Sequence, residues 1–263
     1  LSIAIFSSQQ EKGHLMKLAL ISDIHGNLFA FDAVLEDIRR RKVEQILCLG
    51  DVVTSGPQPR ETLARLQEIG CPTVMGNTDA WVIEPELYEY STLYGQRLQD
   101  VEYWSSQQLD AQDKALLKTF QPTIEWPLNE KTTLLAYHGS PQSFLERIYP
   151  TTPLEQLDKH FANFPRAQIL AGGHVHQQFF LRYRDKIVLN PGSVGQPLDR
   201  IRVRTDVEAR NPPWAEYAIL TIEGDQLGIE LLRVPYDIEG FLTLLAQRGM
   251  PHTEWLINSW RKV

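Results

Sequence analysis

The sequence predicts an α/β protein: a four-layer α/β/β/α sandwich in which two mixed sheets pack face to face between flanking helices. Three observations lead there. In the N-terminal half, short apolar runs alternate with stretches of helical periodicity, as in strand-helix units that build a largely parallel sheet. In the C-terminal half, apolar runs come in pairs around polar turns, the signature of hairpins. The chain has 263 residues, 43% of them hydrophobic, enough to fill a sizeable core.

The elements follow in order. Met16-Lys17 stands directly before the first strand-like run, so residues 1–15 are expected to form an N-terminal extension outside the fold. Residues 17–22 read as a strand, and Phe31, Val34, Leu35 and Ile38 then recur at helical spacing before the basic stop Arg39-Arg40-Arg41. Residues 43–49 repeat the strand, a helix follows at about 60–69 and ends at Gly70, and 72–75 give a third strand. Between about 80 and 130 the strand signal fades. Aromatic-rich helical stretches containing Trp81, Tyr88, Tyr94, Tyr103 and Trp104 point to a helical insertion. Strands return at 132–137 and 168–171, then as a hairpin of 178–184 and 186–190 around Asp185. A second hairpin joins 215–222 to 226–234 across Glu223-Gly224-Asp225. The main domain is thus expected over 16–235, with a helical tail at 236–263 formed by helices over 237–247 and 253–260.

Charge and composition narrow the function classes. A net charge of -7 argues against broad attraction to nucleic acid or anionic membrane, so a phosphate-bearing ligand must be attracted locally, for instance by bound metal ions. The longest apolar stretches fall far short of the ~20 residues that a membrane helix requires, and residues 1–6 lack the basic flank and length of a signal peptide. Cys48 and Cys71 are too few for a disulfide framework, and Cys48 lies inside the apolar run Ile46-Leu47-Cys48-Leu49. A reduced, cytoplasmic protein is the expectation.

Polar residues with metal-ligand chemistry collect just past the strand ends, where open α/β sheets place their active sites. They are Asp23-x-His25, Gly50-Asp51, Gly76-Asn77-Thr78-Asp79, Tyr137-His138-Gly139 and Gly172-Gly173-His174-Val175-His176. On an extended backbone the side chains at i and i+2 point the same way, so Asp23 and His25 can share one ion, and His174 and His176 offer two nitrogen donors in the same geometry. Each segment alone has a plainer reading. Asp23 serves equally well as a helix cap beside an incidental histidine, Asp51 and Asn77 as turn residues, and His138 as a satisfied buried histidine. Four of the seven histidines nevertheless stand at these positions, a joint pattern that separate accidents rarely produce.

As an ordered set these segments resemble the calcineurin-like metallophosphoesterase superfamily, whose signature runs Asp-x-His, Gly-Asp, Gly-Asn-His-Asp/Glu, His and Gly-His-x-His. Gly50-Asp51-Val52-Val53 with Gly56-Pro57, His138-Gly139-Ser140-Pro141, the run from Asn190 through Gly192, Ser193 and Gln196 to Pro197, and Arg233-Val234-Pro235-Tyr236-Asp237 are similar to a bacterial and archaeal branch of compact phosphodiesterase-type members. The resemblance covers about 17–237. It implies that Asp23, His25 and His176 hold one ion, that Asn77, His138 and His174 hold the other, and that Asp51 bridges them. It further implies that Asp51, Asn77 and His138 act in catalysis, and that a metal-bridging hydroxide hydrolyses a small phosphate ester, a phosphodiester or small nucleotide. Mixed oxygen and nitrogen donors suit Mn, Fe, Zn, Co or Ni better than Mg or Ca, with Mn favoured. No membrane and no general nucleic-acid partner are expected.

The departure is Thr78, where much of the superfamily has the histidine of Gly-Asn-His-Asp/Glu, implied to assist the leaving group with Asp79 orienting it. A threonine hydroxyl is a poor proton donor near neutral pH, so slower turnover and a preference for good leaving groups are expected. Thr78 also opens the alternative of a protein-binding scaffold with a weakened site, against which stands the suitable chemistry of all seven proposed ligands. Two further segments keep two readings each. Residues 190–197 form either a loop lining the substrate side or a structural turn. Arg200, Arg202 and Arg204 alternate with Ile201 and Val203, and meet either phosphate or solvent. The branch often has Arg where this chain has Leu198.

Overall fold

The computed structural model describes residues 15–198 and 210–261. Two mixed sheets form its centre. The first runs β2 (Gln45–Cys48), β1 (Met16–Ile21), β8 (Trp214–Glu223), β9 (Gln226–Pro235). The second runs β3 (Ile124–Pro127), β4 (Thr133–Ala136), β5 (Ala167–Ala171), β7 (Lys186–Pro191), β6 (Gln178–Tyr183). β1 pairs β2 in parallel and β8 antiparallel, while β4, β5 and β7 run parallel to one another and β3 and β6 close the two edges antiparallel. Helices α1 (Leu28–Arg40), α2 (Pro59–Glu68), α3 (Asn77–Ile83), α4 (Leu93–Gln107), α5 (Ala111–Leu117), α6 (Leu154–Phe161), α7 (Ile238–Gln247) and α8 (Thr253–Arg261) complete the described elements.

The period-two alternation of the strands sets the layers. Leu18, Leu20, Leu134, Ala136, Ile169, Ala171, Ala218 and Leu220 share one buried cluster between the sheets. The alternate residues Ala19, Ile21, Tyr217 and Ile219 pack with Phe31, Val34 and Ile38 of α1. On the far side, Leu135, Tyr137 and Leu170 pack with Leu157 and Phe161 of α6. Strands covered on both faces read as uninterrupted apolar runs, and each buried leucine contributes about 1.5–3 kcal/mol relative to exposure. The predicted four-layer α/β/β/α sandwich is the fold observed.

Several local expectations are revised. Residues 72–75 do not form a ladder strand: only single bridges join Thr73 to Cys48 and Val74 to Gln121. The stretch expected to be a helical insertion contains α4 and α5 but also β3, which extends the second sheet by pairing with β4. Helix α6 carries no earlier expectation, although Leu154, Leu157 and Phe161 stand at spacings of three and four. The cap of α1 is Asn27, whose side chain accepts from Ala30 N at 3.0 Å, and not Asp23. The predicted extension, apart from exposed Leu15, and Arg200, Arg202 and Arg204 lie outside the described residues. Among the described residues, no helix is long and apolar enough to cross a membrane.

Candidate metal centre

The seven predicted residues come together where β1, β2, β4 and β5 end. Asp23 follows β1, Asp51 follows β2, His138 follows β4, His174 and His176 follow β5, and Asn77 opens α3. The backbone at these ends is not extended, as the i, i+2 reading required. Asp23, His25, Asp51, His174 and His176 all adopt positive φ, at 54, 50, 57, 69 and 57°. They make up five of the nine such non-glycine residues among the described ones, so the strained conformation concentrates here. A left-handed residue costs on the order of 1–2 kcal/mol, and long-range backbone bonds enforce it. Asp23 N donates to the Gly50 carbonyl at 2.9 Å, His25 N to that of Asp51 at 3.0 Å and Gly26 N to that of Val52 at 2.8 Å. The glycines before His174 permit close approach: a side chain on Gly172 would run into the Tyr137 ring, and one on Gly173 into Ser22 and Asp23.

Two donor clusters result, Asp23 with His25 and His176, and Asp51 with His138 and His174. In the first, His25 Nε2 lies 3.1 Å from His176 Nε2, and Asp23 Oδ1 lies 3.2 Å from His176 Nε2 and 3.9 Å from His25 Nε2. In the second, His138 Nε2 lies 3.3 Å from Asp51 Oδ2 and 3.0 Å from Asn77 Oδ1. Turned over, the Asn77 amide nitrogen would face His174 Nδ1 at 2.9 Å and Asp51 Oδ2 at 3.3 Å, so this side chain meets lone-pair atoms whichever end points inward. Asp51 joins the halves, its Oδ2 also lying 3.8 Å from His25 Nε2.

Most of these spacings match those around a divalent ion, the 3.9 and 3.8 Å separations of His25 from Asp23 and Asp51 being wider. Donors about 2.0–2.2 Å from a tetrahedral or octahedral ion stand about 3.0–3.5 Å from one another. The tautomers fit as well. His138 Nδ1 is 2.8 Å from the Leu49 carbonyl oxygen and His176 Nδ1 is 2.7 Å from that of Gln196, so each ring donates outward and turns Nε2 into the centre. His25 Nδ1 is held by Thr54 Oγ1 at 3.2 Å. The Nε2 of His174 is buried without a partner.

The electrostatics divide the centre evenly. Burial, with His176, pushes His25 down to about 4, and burial, with His138, pushes His174 down to about 4. Burial works against the charge on His138 and His176 too, yet Asp51 lifts His138 to about 9 and Asp23 lifts His176 above its ordinary value. The carboxylates of Asp23 and Asp51, despite burial, are held below the usual range chiefly by His176 and His138 respectively. In each half a carboxylate favoured in its charged form faces one imidazole pushed toward neutrality and one favoured as the protonated ring. A cation offers the same compensation and displaces that proton.

Around the seven stand Ser22 and Thr54, which the sequence did not single out, and loop 190–197, Thr78 and Asp79, which it did. Ser22 Oγ donates to Asp23 Oδ2 at 2.5 Å, and His174 N reaches the same carboxylate at 3.1 Å. Loop 190–197 lies against the centre: Ser193 Oγ and Gly195 N both donate to the Asp23 carbonyl, at 2.7 and 3.0 Å. Thr54 follows Asp51 by three residues, and its polarity inside Val52-Val53-Thr54 was the available signal. Thr78 N donates to Asp51 Oδ1 at 2.9 Å, while its hydroxyl is buried without a partner. Asp79, raised to about 7 by burial and the Asp51 charge, accepts from Val52 N at 2.8 Å and Gly76 N at 3.4 Å, tying the two loops together.

Comparison with known proteins places this arrangement. The family model described as "Calcineurin-like phosphoesterase superfamily domain" matches residues 16–224. An uncharacterized protein of Methanocaldococcus jannaschii is 30% identical over 256 residues, covering 91% of this chain and 95% of its own length. A crystal structure of a metallophosphoesterase from Sphaerobacter thermophilus is 27% identical with a TM-score of 0.70, covering 93% of this chain and 97% of that one. A hypothetical protein from Pyrococcus horikoshii OT3, at 17% identity and a TM-score of 0.73 over 93% and 98% of the two chains, shares the fold. The two clusters are potential divalent-metal sites, and with the family match they support metal-dependent phosphoesterase activity in general. By a match that spans the second sheet, β1, β2 and β8 of the first, and every cluster residue, the chain belongs to the calcineurin-like phosphoesterase superfamily.

Proposed function

We propose that this chain is a two-metal phosphodiesterase acting on phosphodiesters or small nucleotides. Asp23, His25 and His176 would hold one ion, Asn77, His138 and His174 the other, and Asp51 both. The observation that supports it most is the pair of clusters, two buried carboxylates and four imidazoles converging at hydrogen-bond range. When bound, two divalent ions, Mn foremost, supply positive charge to phosphoryl oxygens and make water acidic enough to deprotonate near neutral pH.

The chain's own residues do the rest. Asp23 and Asp51 contribute two negative charges, so the loaded centre stays net positive and attracts an anionic ester to a chain of net charge -7. Leu49 and Gln196 fix the rings of His138 and His176, so these donors need no reorganisation. Thr78 offers no proton donor of suitable pKa beside Asn77, which favours esters whose leaving groups depart unaided. Two unpaired thiols, Cys48 and Cys71, fit a reduced cytoplasmic setting.

The test is hydrolysis of bis-para-nitrophenyl phosphate and para-nitrophenyl phosphate with Mn, Fe, Zn, Co and Ni in turn. Faster cleavage of the diester, abolished by chelation, is expected. Inactivity toward both with every ion would favour the protein-binding scaffold.

A further inference from the structure

The loop between β4 and α6 carries a cation that nothing in the described chain neutralises. Arg147 is exposed, and among the described residues it has no hydrogen bond, ion pair or ring partner. Its neighbours, by contrast, are tied down. The Glu146 carboxylate accepts from Ser140 Oγ and lies 3.3 Å from His160 Nδ1. Gln142 Nε2 donates to the His160 carbonyl at 2.7 Å, and Ser140 N donates to that of Ser143 at 2.7 Å. Ile148, on the other side, is buried with Tyr137 and Phe161.

This braced loop leans on the metal centre. A methyl group on Gly139, the residue after His138, would lie 2.5 Å from the Glu146 carbonyl oxygen and 2.6 Å from that of Phe144. The backbone next to Arg147 therefore touches the backbone next to His138, whose ring centroid is 5.1 Å from that of His174. An exposed arginine on a mobile turn would be a solvated surface group. One held between fixed neighbours at the rim of a cluster loses less freedom when it grips a ligand.

We propose that Arg147 binds the non-bridging phosphoryl oxygens of the substrate on the His138 and His174 side of the centre, as a phosphate-positioning residue. The proposal rests on the phosphoesterase reading above. The planar guanidinium presents paired N–H donors that match two oxygens of one phosphate, a match that a lysine ammonium makes only as a point charge.

The experiment measures binding of inorganic phosphate by equilibrium dialysis to the full chain loaded with Mn2+, with bound metal quantified in the same samples. Wild type, R147A and R147K are compared, and diester hydrolysis is followed separately. The expected result is a weakening of phosphate binding on the order of 10-fold or more in R147A, with bound metal unchanged and R147K intermediate. KM for the diester should rise more than kcat falls. R147A that binds phosphate within twofold of wild type, at equal metal content, overturns the proposal, as does a wild-type protein without metal-dependent phosphate binding. A wild type that binds phosphate but cleaves no ester would refute the hydrolase reading alone, because the R147A comparison still decides whether Arg147 holds phosphate.

Discussion

Replacing Gly50 by alanine separates the centre from the fold that carries it. Gly50 has φ +97°, and a methyl group there would lie 2.6 Å from Gly76 N, 2.8 Å from Gly76 Cα and 2.9 Å from the Val74 carbonyl oxygen. All three are backbone atoms, so relief requires the two segments to part. Bringing the closest contact out to 3.0 Å takes a shift of about 0.4 Å. Asp51 and Asn77 are the next residues on those segments, and the shift is about twice the 0.2 Å tolerance of a metal-ligand distance. Left-handed strain and overpacking together should cost about 2–5 kcal/mol of stability. Gly70 is the control: its φ is +62° with nothing within 4 Å, so G70A carries strain without displacement. Urea midpoints give stability, and equilibrium dialysis with elemental analysis gives metal affinity. G70A should lose about 1–2 kcal/mol and bind metal as wild type does. G50A should in addition bind at least one ion about 10-fold more weakly or worse. A folded G50A protein with wild-type metal affinity would refute the reasoning.

Other perturbations reach other parts of the account. D51N removes the carboxylate that lies between the clusters, 3.3 Å from His138 and 3.8 Å from His25, and should lower diester hydrolysis by more than about 100-fold; a loss under tenfold contradicts the shared role. T78H should raise kcat for alkyl or nucleoside esters by about 10-fold or more while moving para-nitrophenyl esters little; unchanged rates and leaving-group dependence remove Thr78 from the explanation. Glu102 on α4 is raised by burial, and by Asp51, from 4.5 to about 8. Between those values the folded chain keeps a proton that the unfolded chain has lost, so Glu102 makes the protein less stable as pH rises from about 5 to 8. E102Q should therefore gain on wild type in urea midpoint across that window, and a constant difference would contradict the shift.

Much of this was legible because burial leaves a direct mark on sequence. Strands sandwiched on both faces, such as Leu18 to Ile21 in β1 or Ile169 to Ala171 in β5, appear as unbroken apolar runs, and the polar residues after them mark the sheet's working edge. Contacts made across the chain leave no such mark. The left-handed turns at Asp23 and His25 are imposed by the carbonyls of Gly50 and Asp51, and the rings of His138 and His176 are fixed by the carbonyls of Leu49 and Gln196. A carbonyl is the same at every residue, so these anchors were invisible. β3 was hidden for a related reason: Ile124 and Trp126 alternate with exposed Glu125 and Pro127 over only four residues, too short a run to stand out, and pairing with β4 makes them a strand. Thr73 and Val74 erred the other way, being apolar enough for a strand but bridged once each.

The central claim is that seven side chains hold two ions with Asp51 between them. Crystals grown with Mn2+, with anomalous diffraction data collected on either side of the manganese absorption edge, test it most directly. Two strong anomalous peaks per chain are expected, one among Asp23, His25 and His176 and one among Asn77, His138 and His174, each within coordination distance of Asp51. A single peak, or peaks away from these residues, in protein that hydrolyses the diester would contradict it.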